Sequence, residues 1–121
     1  MSLSSRPKPF PAVEGLSAAA AAAVARLPAR AIASPTRSRA PVARARQLAV
    51  YLHHVALGAS LSACARAFAR DRATVRYACA VIEDLRDDPQ VDGWTARLEQ
   101  AVAAQRDMVC RLMSEMEGAT R

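Results

Sequence analysis

Acidic residues are almost missing from the first two thirds of this 121-residue chain: Glu14 and Asp71 face 12 lysines and arginines up to residue 80. From residue 81 onward the balance reverses to 9 acidic residues against 5 arginines, for an overall charge of +6. A basic first part points to a polyanion, and the acidic second part must serve something else. Cysteine is scarce and odd in number: Cys64, Cys79 and Cys110, without CxxC or Cys/His metal spacing. This excludes a disulfide framework and reads as small apolar residues in a reducing compartment, Cys64 and Cys79 in a helical core. The only histidines, His53 and His54, are neighbours in sequence, so their rings point to different helix faces and no metal site is expected. No apolar run approaches the ~20 residues that span a membrane. There is no Gly-rich phosphate loop, internal repeat or strand-like alternation, and no Cys/His, Ser/His or paired-carboxylate arrangement; Asp87-Asp88 reads as a solvated helix end. The chain is therefore not expected to be an enzyme, nor to take a cofactor, metal or small-molecule substrate.

What remains is helix. Residues 1–36 form a Pro/Ala-rich tail, with Pro7, Pro9 and Pro11 in front and a short helix over 17–27 capped by Ser17. That helix has only Leu16, Val24 and Leu27 to bury. The apolar run Leu16–Ala25 behind Arg6 and Lys8 has the outline of a secretion signal, but alanine is barely hydrophobic and Glu14 stands at its front, so a cytoplasmic protein is expected. Residues 28–41 read as a basic arm. A helix follows over Ala43–Leu57 with Leu48, Leu52 and Val55 on its apolar stripe, ended by Gly58 as a left-handed cap. Ser60 caps a helix over Leu61–Phe68 that buries Leu61, Cys64, Ala65 and Phe68. After the turn Ala69-Arg70-Asp71, Asp71 caps a helix over Arg72–Leu85 that buries Val75, Ala78, Cys79 and Ile82. Tyr77 is also assigned to the core. Asp88-Pro89 breaks the chain, and a last amphipathic helix runs over 91–117 with Trp94 as its packing anchor.

Helix, turn, helix, short turn, helix, with arginines gathered at the last turn, is the layout of a DNA-binding helix-turn-helix. The residues are more specific than the layout. Arg44-Ala45-Arg46-Gln47-Leu48-Ala49, Ser60-Leu61, Ala67-Phe68, and Arg70-Asp71-Arg72-Ala73-Thr74-Val75-Arg76-Tyr77-Ala78-Cys79 follow in order, continued by Val81 to Arg86. Over residues 37–88 this resembles the C-terminal DNA-binding domain of the bacterial replication initiator DnaA. The resemblance implies an all-α fold, a helix-turn-helix unit of the Trp-repressor/DnaA C-terminal type, with a long additional C-terminal helix over 89–118. It further implies double-stranded DNA as partner. Asp71, Arg72, Ala73 and Thr74 would start the base-reading helix; apart from the resemblance, Arg76 one turn on is expected to read bases with Arg72 and Thr74, because an arginine pairs both acceptors of a guanine edge. Arg44, Arg46, Arg70 and Gln47 would be phosphate contacts or orienting residues. Ser60, Leu61 and Ser62 would approach the groove edge, and Arg37 or Arg39 would enter the minor groove.

The sequence departs from the family where it matters. Arg72 stands at the signature's histidine, Ala73 at its first threonine, and Arg76 where an apolar residue is usual. Altered base preference is expected, and no Walker motif of the initiator's ATPase is present in the 121 residues. The expected function is a sequence-specific DNA-binding regulator of transcription, replication or the cell cycle, in a bacterial cytoplasm and on the nucleoid. The alternative is an interaction module that binds or competes with replication-initiation factors. The helix over 91–117 is expected to mediate homodimerisation or recruit a partner, or else to pack back on the preceding helices.

Overall fold

The computed structural model describes residues 15–25 and 40–119, and all its regular structure is helical: α1 (Gly15–Ala25), α2 (Ala40–Val55), α3 (Leu61–Phe68), α4 (Arg72–Leu85) and α5 (Pro89–Ala119). Helix α2 is the centre, flanked by α1, α3, α4 and the start of α5. That is why Tyr51, Leu52 and His53, three consecutive residues pointing to different sides, are all buried.

Helix α1 differs from the expectation in what it buries: of Leu16, Val24 and Leu27, Leu16 is half-buried, Val24 faces outward and Leu27 lies outside the described residues. The helix docks through small residues: Ser17, Ala21 and Ala22 are buried while Val24 is 61% exposed. A run of alanines favours helix and lets two backbones approach closely. Ser17 lies inside the helix rather than at its cap. It is fully buried, and its Oγ shares a hydrogen bond of 3.2 Å with His53 Nδ1, as a hydroxyl removed from water requires.

Helix α2 begins three residues earlier than the spacing predicts and carries Pro41 in its first turn, where a missing N–H costs nothing. Ala45, Ala49 and Leu52 are buried; Val55, placed on the buried stripe by its spacing, is 46% exposed as the last residue of the helix. Gly58 takes φ 71°, the Leu57 and Ala59 amides reach back to the carbonyls of Leu52 and His53, and His54 Nδ1 donates to the Ala59 carbonyl at 2.7 Å.

Helices α3 and α4 keep the bounds their caps predict. Ser60 Oγ accepts from the Ala63 amide at 3.0 Å and Asp71 Oδ1 from the Thr74 amide at 2.7 Å. Between them Ala69 adopts φ 52°, a left-handed conformation unusual for a residue with a Cβ, and the Arg70 amide closes the turn on the Ala65 carbonyl. Cys64, Phe68, Val75 and Ala78 pack on α2 in one cluster, with the His53 and Phe68 rings edge to face at 5.6 Å. Burial pushes the Cys64 thiol up to about 11, with the nearby Cys79 adding to the shift, which suits an inert packing residue.

Helix α5 starts at Pro89, two residues before the predicted position, with the Asp88 carboxylate accepting from the Gln90 amide. Its docking side is Thr95 and Val102, and Trp94, expected as the anchor, is 59% exposed. Polar groups orient it instead. Arg86, at the end of α4, donates to Asp92 (2.6 Å) and Glu99 (3.0 Å) of α5 and to the Tyr51 hydroxyl (2.9 Å), which donates to Glu83 (2.6 Å). Arg106 then reaches the Ala56 carbonyl at 3.3 Å. Beyond Arg106 the helix continues with Met108, Leu112 and Met116 exposed.

Candidate nucleic-acid interface

Helix α4 is two-faced. Val75, Ala78 and Ile82 hold it to the core, so Arg72, Ala73, Arg76, Tyr77 and Ala80 stand on the opposite side, exposed. Arg72 and Arg76 are one turn apart, as are Ala73 and Tyr77, and the small side chains of Ala73 and Ala80 leave the helix backbone open to close approach. Farther along, Glu83 and Asp84 turn the same surface acidic, so the cationic part is confined to the first half of the helix.

Asp71 begins this face. The Thr74 backbone amide first, and its hydroxyl second, hold the Asp71 carboxyl below the usual carboxylate range. Its acceptor capacity is thus directed at the helix start, and the Thr74 hydroxyl faces Asp71 as well as the surface. A small cleft lies alongside, lined by Arg46, Gln47 and Val50 of α2, Arg70 of the turn, and Thr74 and Tyr77 of α4. Arg70 donates to the carbonyls of Phe68 and Ala69 at 3.0 and 3.2 Å, which fixes its guanidinium at the C-terminal end of α3. Burial first, and the Arg70 charge second, lower the proton affinity of Arg46. Like charges held together on a rigid surface create a field for an anion.

Arg46, Gln47, Arg70 and Thr74 are therefore brought together at one cleft, with Asp71 bonded to Thr74, while Arg72, Ala73 and Arg76 stand exposed on the outer face of α4. Ser60 is exposed at the α3 cap, and Ser62 is half-buried on the first turn of α3. Leu61 packs against the core cluster. Arg44 is exposed but lies two residues from Arg46, nearly opposite on α2. It donates to Gln47 Oε1 at 3.1 Å and borders a groove on the α1 and α5 side. Arg37 and Arg39 lie outside the described residues. Tyr77, assigned to the core by its sequence, is 64% exposed and borders the cationic cleft. Its i−4 and i+3 spacing to Ala73 and Ala80, outside the Val75/Ala78/Ile82 stripe, carries that signal. The Arg86 network had no such signal, because its members lie on three helices.

Among the described residues no helix is long and apolar enough to cross a membrane, and no three His, Cys, Asp or Glu residues are grouped to hold a metal. No curated protein matches the chain. The bacterial DnaA protein helix-turn-helix family matches residues 19–82, just over half the chain. The match begins inside α1, which packs on α2, whereas the sequence reading began the domain at residue 37. It ends within α4, and α5 lies beyond it. That family is a DNA-binding domain rather than a catalytic one, and membership implies double-stranded DNA as the partner. From the fold, the paired caps of α3 and α4 and this match, the chain belongs to the family of the bacterial DnaA helix-turn-helix domain.

Proposed function

We propose that the protein binds specific double-stranded DNA sequences and regulates transcription, replication or the cell cycle from the bacterial nucleoid. The observation that carries this reading is the exposed pair Arg72 and Arg76 on the first turns of α4, the helix whose Thr74 and Tyr77 border the cleft of Arg46 and Arg70. An arginine in the major groove pairs both acceptors of a guanine edge, a contact contributing ~1–3 kcal/mol of discrimination. In this reading Arg72 and Arg76 read bases and Ala73 admits the helix closely. Asp71 and Thr74 set the start of the reading edge. Arg46, Arg70 and Gln47, with Ser60 and Ser62 at the start of α3, face phosphates, and the Tyr77 hydroxyl joins them. Arg44, on the α1 and α5 side of α2, stands outside this edge; Leu61 supports the groove edge from below, and Arg37 or Arg39 enters the minor groove. Because Arg72, Ala73 and Arg76 replace the family's usual residues, the preferred site differs from the initiator's box.

The test is a shift assay on DNA enriched by the protein from its genome, comparing the native chain with Arg72→Ala. Specific affinity is expected to fall about 5- to 100-fold while binding to unrelated DNA stays within a few-fold. Equal loss on every sequence would refute base reading. The competing reading, a protein-interaction module for replication-initiation factors, draws on the exposed apolar residues of α5. A DNA affinity that is negligible or independent of salt favours that reading.

A further inference from the structure

Trp94, Leu98, Ala101, Gln105, Met108, Leu112 and Met116 follow one another along α5 at 3- and 4-residue spacings. At about 100° per residue they fall within about 40° of one line, and the stripe is about 33 Å long. Apart from Gln105 it is apolar, and Trp94, Met108, Leu112 and Met116 are 46–59% exposed. The docking residues Thr95 and Val102 lie about a quarter turn away.

The first half of the stripe is one wall of a groove of about 620 Å³, with α1 (Ala21, Val24) opposite and Leu48 and Leu85 at its base. The charged residues bordering this groove are Arg44 and Arg97, with no acid among them. The second half of the stripe is bordered by Glu115, with Arg111 farther round the helix and Asp107 turned away and paired with Arg106 at 3.1 Å. One end of α5 is thus part of an apolar cleft rimmed by Arg44 and Arg97, and the other is an apolar ridge bordered by Glu115. They cannot meet within one chain, because α5 is a continuous helix from Pro89 to Ala119.

We propose that a second copy of this chain covers both surfaces. The two α5 helices pair antiparallel about a two-fold axis near Gln105, and Met108 and Leu112 of each copy enter the groove of the other. Ala101 then faces the second copy's Leu112. Arg97 and Glu115 are 18 residues apart, five full turns, so they flank the stripe on the same side. In an antiparallel pair like flanks face each other, so Arg97 meets the second copy's Glu115, twice by symmetry. Neither residue has an ion-pair partner among the described residues. Gln105 is the single polar break in the seam, the kind of residue that fixes register. The pairing deepens the functional reading only in its consequence, two copies of α4 presented to a target with two half-sites. The pairing itself rests on α5.

Sedimentation and light scattering of the full chain without DNA test it. The mass is expected to rise with concentration from 12.9 kDa to twice that value. Emission from Trp94, the sole tryptophan, is expected to shift to shorter wavelength in step. Leu112→Glu alters an exposed position outside the core, so helix content and melting remain while association weakens about tenfold or more. Arg97→Glu and Glu115→Arg each weaken association, and the double reversal restores it. A strict monomer, association indifferent to Leu112→Glu, or a double reversal no better than either single change overturns the proposal. A monomer that still selects its DNA removes the pairing and keeps the DNA reading; a dimer that ignores DNA does the opposite.

Discussion

Two groups of arginines in this molecule stand in opposite circumstances. Arg86 is surrounded by Asp92, Glu99 and the Tyr51 hydroxyl, with its own side chain 18% exposed. Arg72 and Arg76 are exposed on α4 and have no acidic partner among the described residues. The same guanidinium is a tie between helices in the first setting and an outward-facing donor in the second. What separates them is the supply of carboxylates: α5 and the end of α4 bring acids to Arg86, and the basic stretch before residue 81 brings almost none to α4's first turns.

The contrast is sharpest if each kind of arginine is removed in turn. Arg86→Ala leaves Asp92 and Glu99 without their cation and the Tyr51 hydroxyl without its donor, and should cost about 3 kcal/mol of stability in urea unfolding, since losing one partner of a partly buried network strands the others. Loss of stability near zero would mean that α5 is held by its docking side, Thr95 and Val102, and by the Arg106 bond to Ala56, without the Arg86 network. Arg72→Ala should do the reverse, with melting unchanged and specific DNA affinity reduced by ~1–3 kcal/mol. Arg46→Ala should weaken binding to all sequences by similar factors and reduce the salt slope by about 1, as for one lost phosphate contact. A slope that stays put would move Arg46 out of the interface. The mildest perturbation is alkaline pH. Burial first, then the bond to Glu83, pushes the Tyr51 hydroxyl up to about 12. Its folded value exceeds its ordinary value of 10.0, so its contribution is complete below pH 10 and is lost as pH rises from there through about 12. Tyr51→Phe should flatten that limb of the stability profile and leave neutral pH nearly unaffected in slope.

The helix-turn-helix was legible because its determinants are local. Ser60 and Asp71 cap helices that start at the next residue, and Gly58 takes the left-handed angle its position demands. Which residues of α4 are exposed follows from its period, save Tyr77, whose aromatic ring suggests core while its spacing places it outside the Val75/Ala78/Ile82 stripe. Helix α1 was underrated because alanine contributes little to a hydrophobic pattern, yet small residues allow the close backbone approach that buries Ser17 and Ala21. Trp94 was misplaced for the opposite reason: size suggested an anchor, but the rotation of α5 about its axis is set by Arg86, Asp92 and Glu99.

The sequence by itself determined that the chain is helical, where α3 and α4 begin and end, and that the arginines gather at the turn between them, since each depends on caps, period and charge within a few residues. Only the tertiary structure decided which side of α5 is covered, that α1 belongs to the packed unit, and that Arg86 is a tie between helices. Those outcomes depend on which residues from separate helices meet, and a hydrogen-bond network spanning α2, α4 and α5 has no period along the chain.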